Sequence, residues 1–223
     1  MRGLRGLLTK DLLLFKSQGL RLLLALLLMA FFFTISGSIN NGYTIMYMAT
    51  ALGIYAANTI SYDEAGNGFG YLFVLPVSRK VYVREKYLFT MLLTLVGWLA
   101  GIIYGIVAAL IRGTGGISGE MLVENLVAFI VIVAIEDIVI AIRMKFEGEK
   151  GRLIFPVIFL AIFGICYIVS YIVKADSEPA ERFQRMAAAA GDTGIMAGLM
   201  VLCLLVIVVS YVCSLKFIKE KEF

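Results

Sequence analysis

Histidine is absent from the 223 residues. Its absence removes imidazole acid–base chemistry and the commonest side-chain metal ligand. Charge is scarce too: 16% of the residues are Asp, Glu, Lys or Arg, against about 25% in soluble domains, so no soluble domain fits beside the apolar bulk. The three cysteines, Cys166, Cys203 and Cys213, fall inside apolar stretches, where reduced, packed thiols are expected and no disulfide. There is no Gly-x4-Gly-Lys-Ser/Thr phosphate loop, no Gly-x-Ser-x-Gly elbow and no zinc motif. Intramembrane proteolysis and lipid-headgroup transfer therefore lack their residues. The expectation is a chain without catalysis, cofactor or metal of its own. The net charge of +4 is too modest to indicate nucleic acid.

Apolar residues make up 61% of the chain. Six runs approach the roughly 20 residues that a helix needs to cross a hydrocarbon core: about 22–39, 43–61, 87–111, 121–142, 153–173 and 195–215. Alternating barrel patterning is absent, so the spans are helical. The basic start and first apolar run resemble a signal peptide, but the long basic segment and the spans that follow favour a retained first helix. The fold expected is all-α: one membrane domain over 1–223, with six transmembrane helices and three accessory helices.

Lys and Arg set the orientation. Sixteen fall in 1–21, 62–86, 143–152 and the tail after 215, and four fall in the alternate loops. This split places both termini in the cytoplasm of a multi-pass protein of the plasma membrane. Residues 1–20 read as an interfacial helix: Leu4, Leu7, Leu8, Leu12 and Phe15 share one face, and Arg2, Arg5, Thr9 and Lys16 another. Asp11 sits on the apolar face. It is either a headgroup-level residue or the partner of a basic residue in the next cytoplasmic loop, such as Arg79 or Arg84. In the outer loop 174–193, Asp176 and Ser177 can cap a short helix over about 178–190, and Gly191 can end it.

Three features carry information beyond the spans. Gly97, Gly101 and Gly105 recur four apart in the third span, which lets helix backbones approach closely, within one bundle or between subunits. Glu136 and Asp137 lie about 9 Å inside the cytoplasmic end of the fourth span. Such groups snorkel to the headgroups, pair with cations such as Arg143 and Lys145, line a cavity for cationic or amphipathic cargo, or couple protons. Glu136 precedes Arg143 by seven residues, nearly on its face, which marks Glu136 as the structural partner and Asp137 as the vestibule residue. The third feature is the connection 62–86, longer and more apolar than a reversal of direction needs. Asp63 can cap a helix, and its pairing with Glu64 suits a helix N-terminus. Phe69, Leu72 and Phe73 share one face; Tyr71, Val74 and Leu75 share another; Pro76 ends the run, and Ser78 can cap the third span. Two apolar faces need two surfaces. One is the membrane or the bundle, and the other suits a partner protein, reached through Phe69, Leu72 and Phe73. Gly66, Gly68 and Gly70 follow a helix end and not a strand, so they do not read as a nucleotide loop.

Asp63-Glu64, Leu75-Pro76-Val77-Ser78-Arg79-Lys80, Val83 and Glu85-Lys86-Tyr87 resemble the cytoplasmic signature of the small ABC-2-type permeases. Lys10-Asp11 resembles the family's start. Lys145-Phe146 and Gly148-Glu149-Lys150-Gly151-Arg152 resemble its second cytoplasmic loop. The chain departs from the pattern at Phe69, where such permeases often carry tryptophan, and at Glu136-Asp137. The resemblance implies the permease subunit of a bacterial ATP-binding cassette exporter for hydrophobic or amphipathic cargo such as peptides. It implies a second permease, identical or paralogous, and a separate ATPase subunit that holds ATP and Mg²⁺. The segment 64–75 would be the coupling helix, with Asp63, Glu64, Phe69, Leu72, Phe73, Leu75, Pro76 and Arg79 as its coupling residues. The helix 178–190 would be the outer gate. The alternatives are a secondary transporter or channel coupled through Glu136 and Asp137, and a non-transporting immunity or sensor protein.

Overall fold

The computed structural model describes residues 2–35, 41–64, 68–74, 77–112, 119–146 and 178–220, together with 160, 164, 167 and 168. Among the described residues every element is helical. In chain order these are α1 (Arg2–Leu14), a π-helical turn (Phe15–Gly19), α2 (Leu20–Ile35), α3 (Asn41–Glu64), α4 (Gly68–Val74), α5 (Arg79–Arg112), α6 (Gly119–Lys145) and α7 (Glu178–Glu220). Of the span expected at 153–173 only Leu160, Gly164, Tyr167 and Ile168 are among the described residues, and these four are helical.

Among the described residues three helices are long and apolar enough to cross a membrane: Arg79–Ile111, Leu122–Lys145 and Gly194–Glu220. Helices Gly3–Gly19 and Arg21–Phe32, bent by 50°, count as a fourth if read as one broken span. α3 has the length, with 24 residues, but its Thr, Tyr and Asn residues lower its apolarity. It is the central helix. Ile45, Ala49, Leu52, Ala56, Ala57 and Ile60 are each at most 1% exposed, and α3 packs against both α5 and α6.

α5 begins eight residues earlier than the expected third span. At 34 residues and about 1.5 Å per residue it is about 51 Å long, whereas a hydrocarbon core is about 30 Å thick. It is therefore longer than such a layer by about 20 Å. Ser78 caps α5 as expected: its carbonyl accepts from the Val81 and Tyr82 amides (2.9 and 3.1 Å), and its hydroxyl lies 3.4 Å from the Val81 amide. α7 joins the expected outer helix to the last span. The join breaks at Gly191, whose φ of 64° leaves the helical region. That conformation favours glycine, which has no Cβ to clash.

α6 and the second half of α7 lie side by side in the same sense. Val127 and Val131 stand near Ile195 and Leu199, while Ile138 and Ile142 stand near Leu205 and Val209. α7 leaves a broad apolar face uncovered, with Val201, Leu202, Leu204, Leu205, Val208, Val209 and Val212 exposed. A span can do this because lipid tails are as apolar as the side chains.

Small residues bring α3 and α5 together. A Cβ at Gly101 would stand 2.7 Å from the Ile45 Cα, and one at Gly97 would stand 2.9 Å from the Ala49 Cα. Gly105 is buried on the same helix. Of the two uses open to this glycine series, Gly97 and Gly101 serve packing within the chain. Gly101→Val should therefore push the backbones apart and destabilise the bundle by about 1–3 kcal/mol, read as a fall in the thermal midpoint of the purified protein in detergent. Gly198→Val, at an open position on α7, should leave the midpoint unchanged.

Candidate functional site

At the end of the bundle where α3 and α6 finish and α5 begins, α1, α3 and α5 converge on one buried ammonium. Lys86 of α5 is 1% exposed, Asp11 of α1 is fully buried, and Asp63 lies at the last turn of α3. Lys86 Nζ donates to Asp11 Oδ2, lies 2.8 Å from Asp63 Oδ2 and donates to Thr59 Oγ1 at 3.0 Å. Lys10 Nζ bonds Asp63 Oδ1 and stands 3.1 Å from Asp11 Oδ1. The Tyr82 hydroxyl donates to Asp63 Oδ2 at 3.1 Å. Each carboxylate is thus shared between two cations. A charge taken out of water is tolerated only with such partners, and stripping one partner from a buried pair costs about 3–5 kcal/mol.

The clasp bears out one expectation in kind and corrects another. Asp11 does pair with a basic residue of the connection 62–86, but that residue is Lys86, with Lys10 beside it, and not Arg79 or Arg84. Arg84 is exposed on the far side of α5, and Arg79 donates to the carbonyls of Ile218 (3.2 Å) and Lys219 (2.8 Å) at the end of α7. Terminal carbonyls lack helical partners and carry the negative end of the helix dipole, so a guanidinium suits them. Asp63 and Glu64 do not open a helix. They close α3, where the dipole disfavours carboxylates, and for Asp63 the two lysines offset that cost.

α4 follows directly. Its two faces divide as the spacing predicts, but the face that turns inward is the one expected to turn outward. Phe69, expected on the outward face, is 5% exposed and packs edge-to-face on Tyr82, with ring centroids 5.5 Å apart. It joins a core cluster with Ile60, Val83, Met144 and Ile218, and Leu72 packs against that cluster. Tyr71 and Val74 are 76% and 85% exposed. The reason is Tyr82: its buried ring offers Phe69 an aromatic partner inside the bundle. The Phe73 side chain and residues Leu75 and Pro76 lie outside the described set.

Glu136 and Asp137 are both buried. Glu136 does not pair with Arg143, whose guanidinium donates to Ser61 Oγ at 2.9 Å. Its carboxyl instead fills the place that a Cβ at Gly53 would take, and Thr94 donates to its Oε2. Glu136 therefore seats α6 against α3 and α5. The Asp137 main-chain carbonyl accepts from Ser210. The Tyr87 hydroxyl bonds Ser210 at 2.7 Å and Ser214 at 2.8 Å, so a polar seam joins α5, α6 and α7. A cavity of about 470 Å³ between α6 and α7 is walled by Ile138, Ile142, Leu205, Val209, Cys213 and Phe217 among others, and neither acid lines it.

Sequence reasoning did not assign roles to Lys86, Tyr82, Tyr87, Ser210 and Ser214. A signal for two of them was present: Tyr82, Lys86, Phe89, Leu93, Gly97 and Gly101 follow helical spacing along the one buried face of α5. Among the described residues no group of three acids or cysteines is placed to hold a metal ion.

A family model described as ABC-2 family transporter protein matches residues 6–219. No curated protein and no solved structure matches the chain. The family match runs from α1 to the last turn of α7 and takes in the clasp, α4 and the apolar spans. The chain belongs to the ABC-2 family of transporter proteins and is a multi-pass, membrane-embedded transport component, a permease of the ABC type.

Proposed function

We propose that this chain is the permease subunit of a bacterial ATP-binding cassette exporter and that α4 is its coupling helix. The observation that carries this reading is the two-sidedness of α4: Phe69 anchors it in the core, and Tyr71 and Val74 stand free at the same end of the bundle as Lys10, Arg79 and Lys145. A seven-residue helix fastened on one side and apolar on the other is suited to a groove on another protein. In this reading a separate ATPase subunit holds ATP and Mg²⁺, and its closure moves α4. Two permeases, identical or paralogous, frame the pathway, with the uncovered face of α7 toward lipid or the second copy. The parallel course of α6 and α7 supports the fifth span expected at 153–173, and with it the six-span arrangement. Both termini are cytoplasmic, and the helix 178–190 is the outer gate. The apolar walls between α6 and α7 suit hydrophobic or amphipathic cargo, peptides included.

Tyr71→Ser with Val74→Ser should reduce co-purification of a cassette ATPase expressed from the neighbouring reading frame by about tenfold or more, since each buried apolar side chain is worth about 1.5–3 kcal/mol. The thermal midpoint of the permease alone should not change. Phe69→Ala should do the opposite first: it opens the core and costs about 3–5 kcal/mol of stability. Intact retention of the ATPase by the double variant would overturn the coupling role of α4.

Orientation has its own test. In a background with Cys166, Cys203 and Cys213 replaced, Gly119→Cys should react with a membrane-impermeant maleimide in intact cells. Lys80→Cys should react only after the cells are opened. The reverse pattern would invert the topology.

A further inference from the structure

The charges of the clasp do not balance. Asp11, Asp63 and Glu85 face Lys10 and Lys86, and Glu85 is the acid left over. Its side chain is fully buried, no ammonium, amide or hydroxyl donates to either of its oxygens, its carboxyl lies against that of Asp11, and its Oε2 stands 3.7 Å from Lys86 Nζ. Lys86 spends its three protons on Asp11, Asp63 and Thr59. A buried acid set against another acid, with no cation of its own, is costly, and an apolar or amide residue would fill the same volume at lower cost. Its position beside an ammonium that is already engaged calls for an explanation.

The arrangement has the parts of a two-position switch. Asp63 lies one residue before the end of α3, on the stretch that leads into α4. Lys10, its other cation, is 33% exposed at the side chain, and a lysine stem is long enough to follow a moving carboxylate outward. Glu85 is fixed to α5 beside Lys86 and stays whatever α3 does. We propose that Glu85 is the reserve anchor of Lys86. When α4 draws the end of α3 away, Asp63 leaves with Lys10, and Lys86 passes from Asp63 to Glu85 while keeping Asp11. α1 and α5 remain joined, α3 is released, and no cation is left bare in the core. Glu85 is then a positioning residue for the coupling movement. The movement of α4 rests on the function proposed above, whereas the exchange of partners at Lys86 does not.

A mutant cycle on the full chain in lipid nanodiscs tests the exchange without any ATPase. Asp63→Asn imitates the departure of Asp63. Glu85→Gln keeps the shape of the reserve anchor and removes its charge. Glu85→Gln alone should leave the thermal midpoint unchanged or raise it, because the crowding of the Glu85 carboxyl against that of Asp11 is relieved. Combined with Asp63→Asn, it should lower the midpoint by at least about 3 °C more than the two single changes added together. Asp63→Asn with Glu85→Asp, which restores the charge, should return to the midpoint of Asp63→Asn alone. Additive effects would overturn the proposal. A second measurement stands if Asp63→Asn does not fold. Nitroxide labels at the exposed positions Tyr62 and Arg84, in the cysteine-free background, report the separation of α3 and α5. With the bound ATPase trapped by ATP and vanadate, the unsubstituted clasp should show a second, longer distance that Glu85→Gln lacks. The same lengthening in both, or none in either with the ATPase bound, would overturn the exchange. Failure of any cassette ATPase to bind would count against the coupling reading alone, and the mutant cycle would still decide the exchange.

Discussion

The architecture turns on the ammonium of Lys86. An ion in a low-dielectric interior must be matched by counter-charges at hydrogen-bonding distance. No single helix supplies enough of them here. Asp11 comes from α1 and Asp63 from α3. Meeting the demand of one side chain therefore fixes how three helices lie relative to one another. It also explains why α1, an amphipathic helix with Leu12 and Leu13 exposed, is held against the bundle at a defined register: Asp11 interrupts its apolar face and has one place to go.

Several other contacts of the same end depend on that register. Tyr82 donates to Asp63 and offers its ring to Phe69, so the clasp and the seat of α4 share one side chain. Arg79, one residue after the cap of α5, holds the last carbonyls of α7. Lys145 at the end of α6 lies over the Phe217 ring of α7, 5.2 Å from its centroid. A displacement of α4 would thus reach α3 through Asp63, α5 through Tyr82 and α7 through Arg79. Packed helices shift as units and do not deform continuously, so these contacts tie the ends of α3, α5 and α7 together.

Deeper in the bundle, polar groups serve packing. Glu136 occupies the space left by the missing Cβ of Gly53, and Gly97 and Gly101 admit α3 to close range. The Tyr87–Ser210–Ser214 seam gives α7 polar bonds on its inner side, while its outer side remains aliphatic. The inner helices are matched by shape and hydrogen bonds, and the outer face of α7 by apolarity alone.

The sequence by itself determined the class of the molecule. Apolar run lengths, the lack of alternation and the signature residues around Asp63, Arg79 and Lys145 were enough for a helical membrane permease of this family, because span length and family motifs are local in the chain. Local chemistry also located the cap at Ser78 and the break at Gly191, and it divided α4 into its two faces. Which face turned inward was decided by Tyr82, a residue of another helix. The partner of Asp11 was decided the same way. Charge spacing made Arg79 and Arg84 plausible, but the helical phase of α5 buries Lys86 and turns Arg84 outward. Glu136 and Arg143 share a face in sequence, yet Gly53 and Ser61 of α3 separate their bonds. These outcomes were settled only in the tertiary structure, since a buried charge or ring answers to whatever neighbours the folded chain brings within a few ångströms.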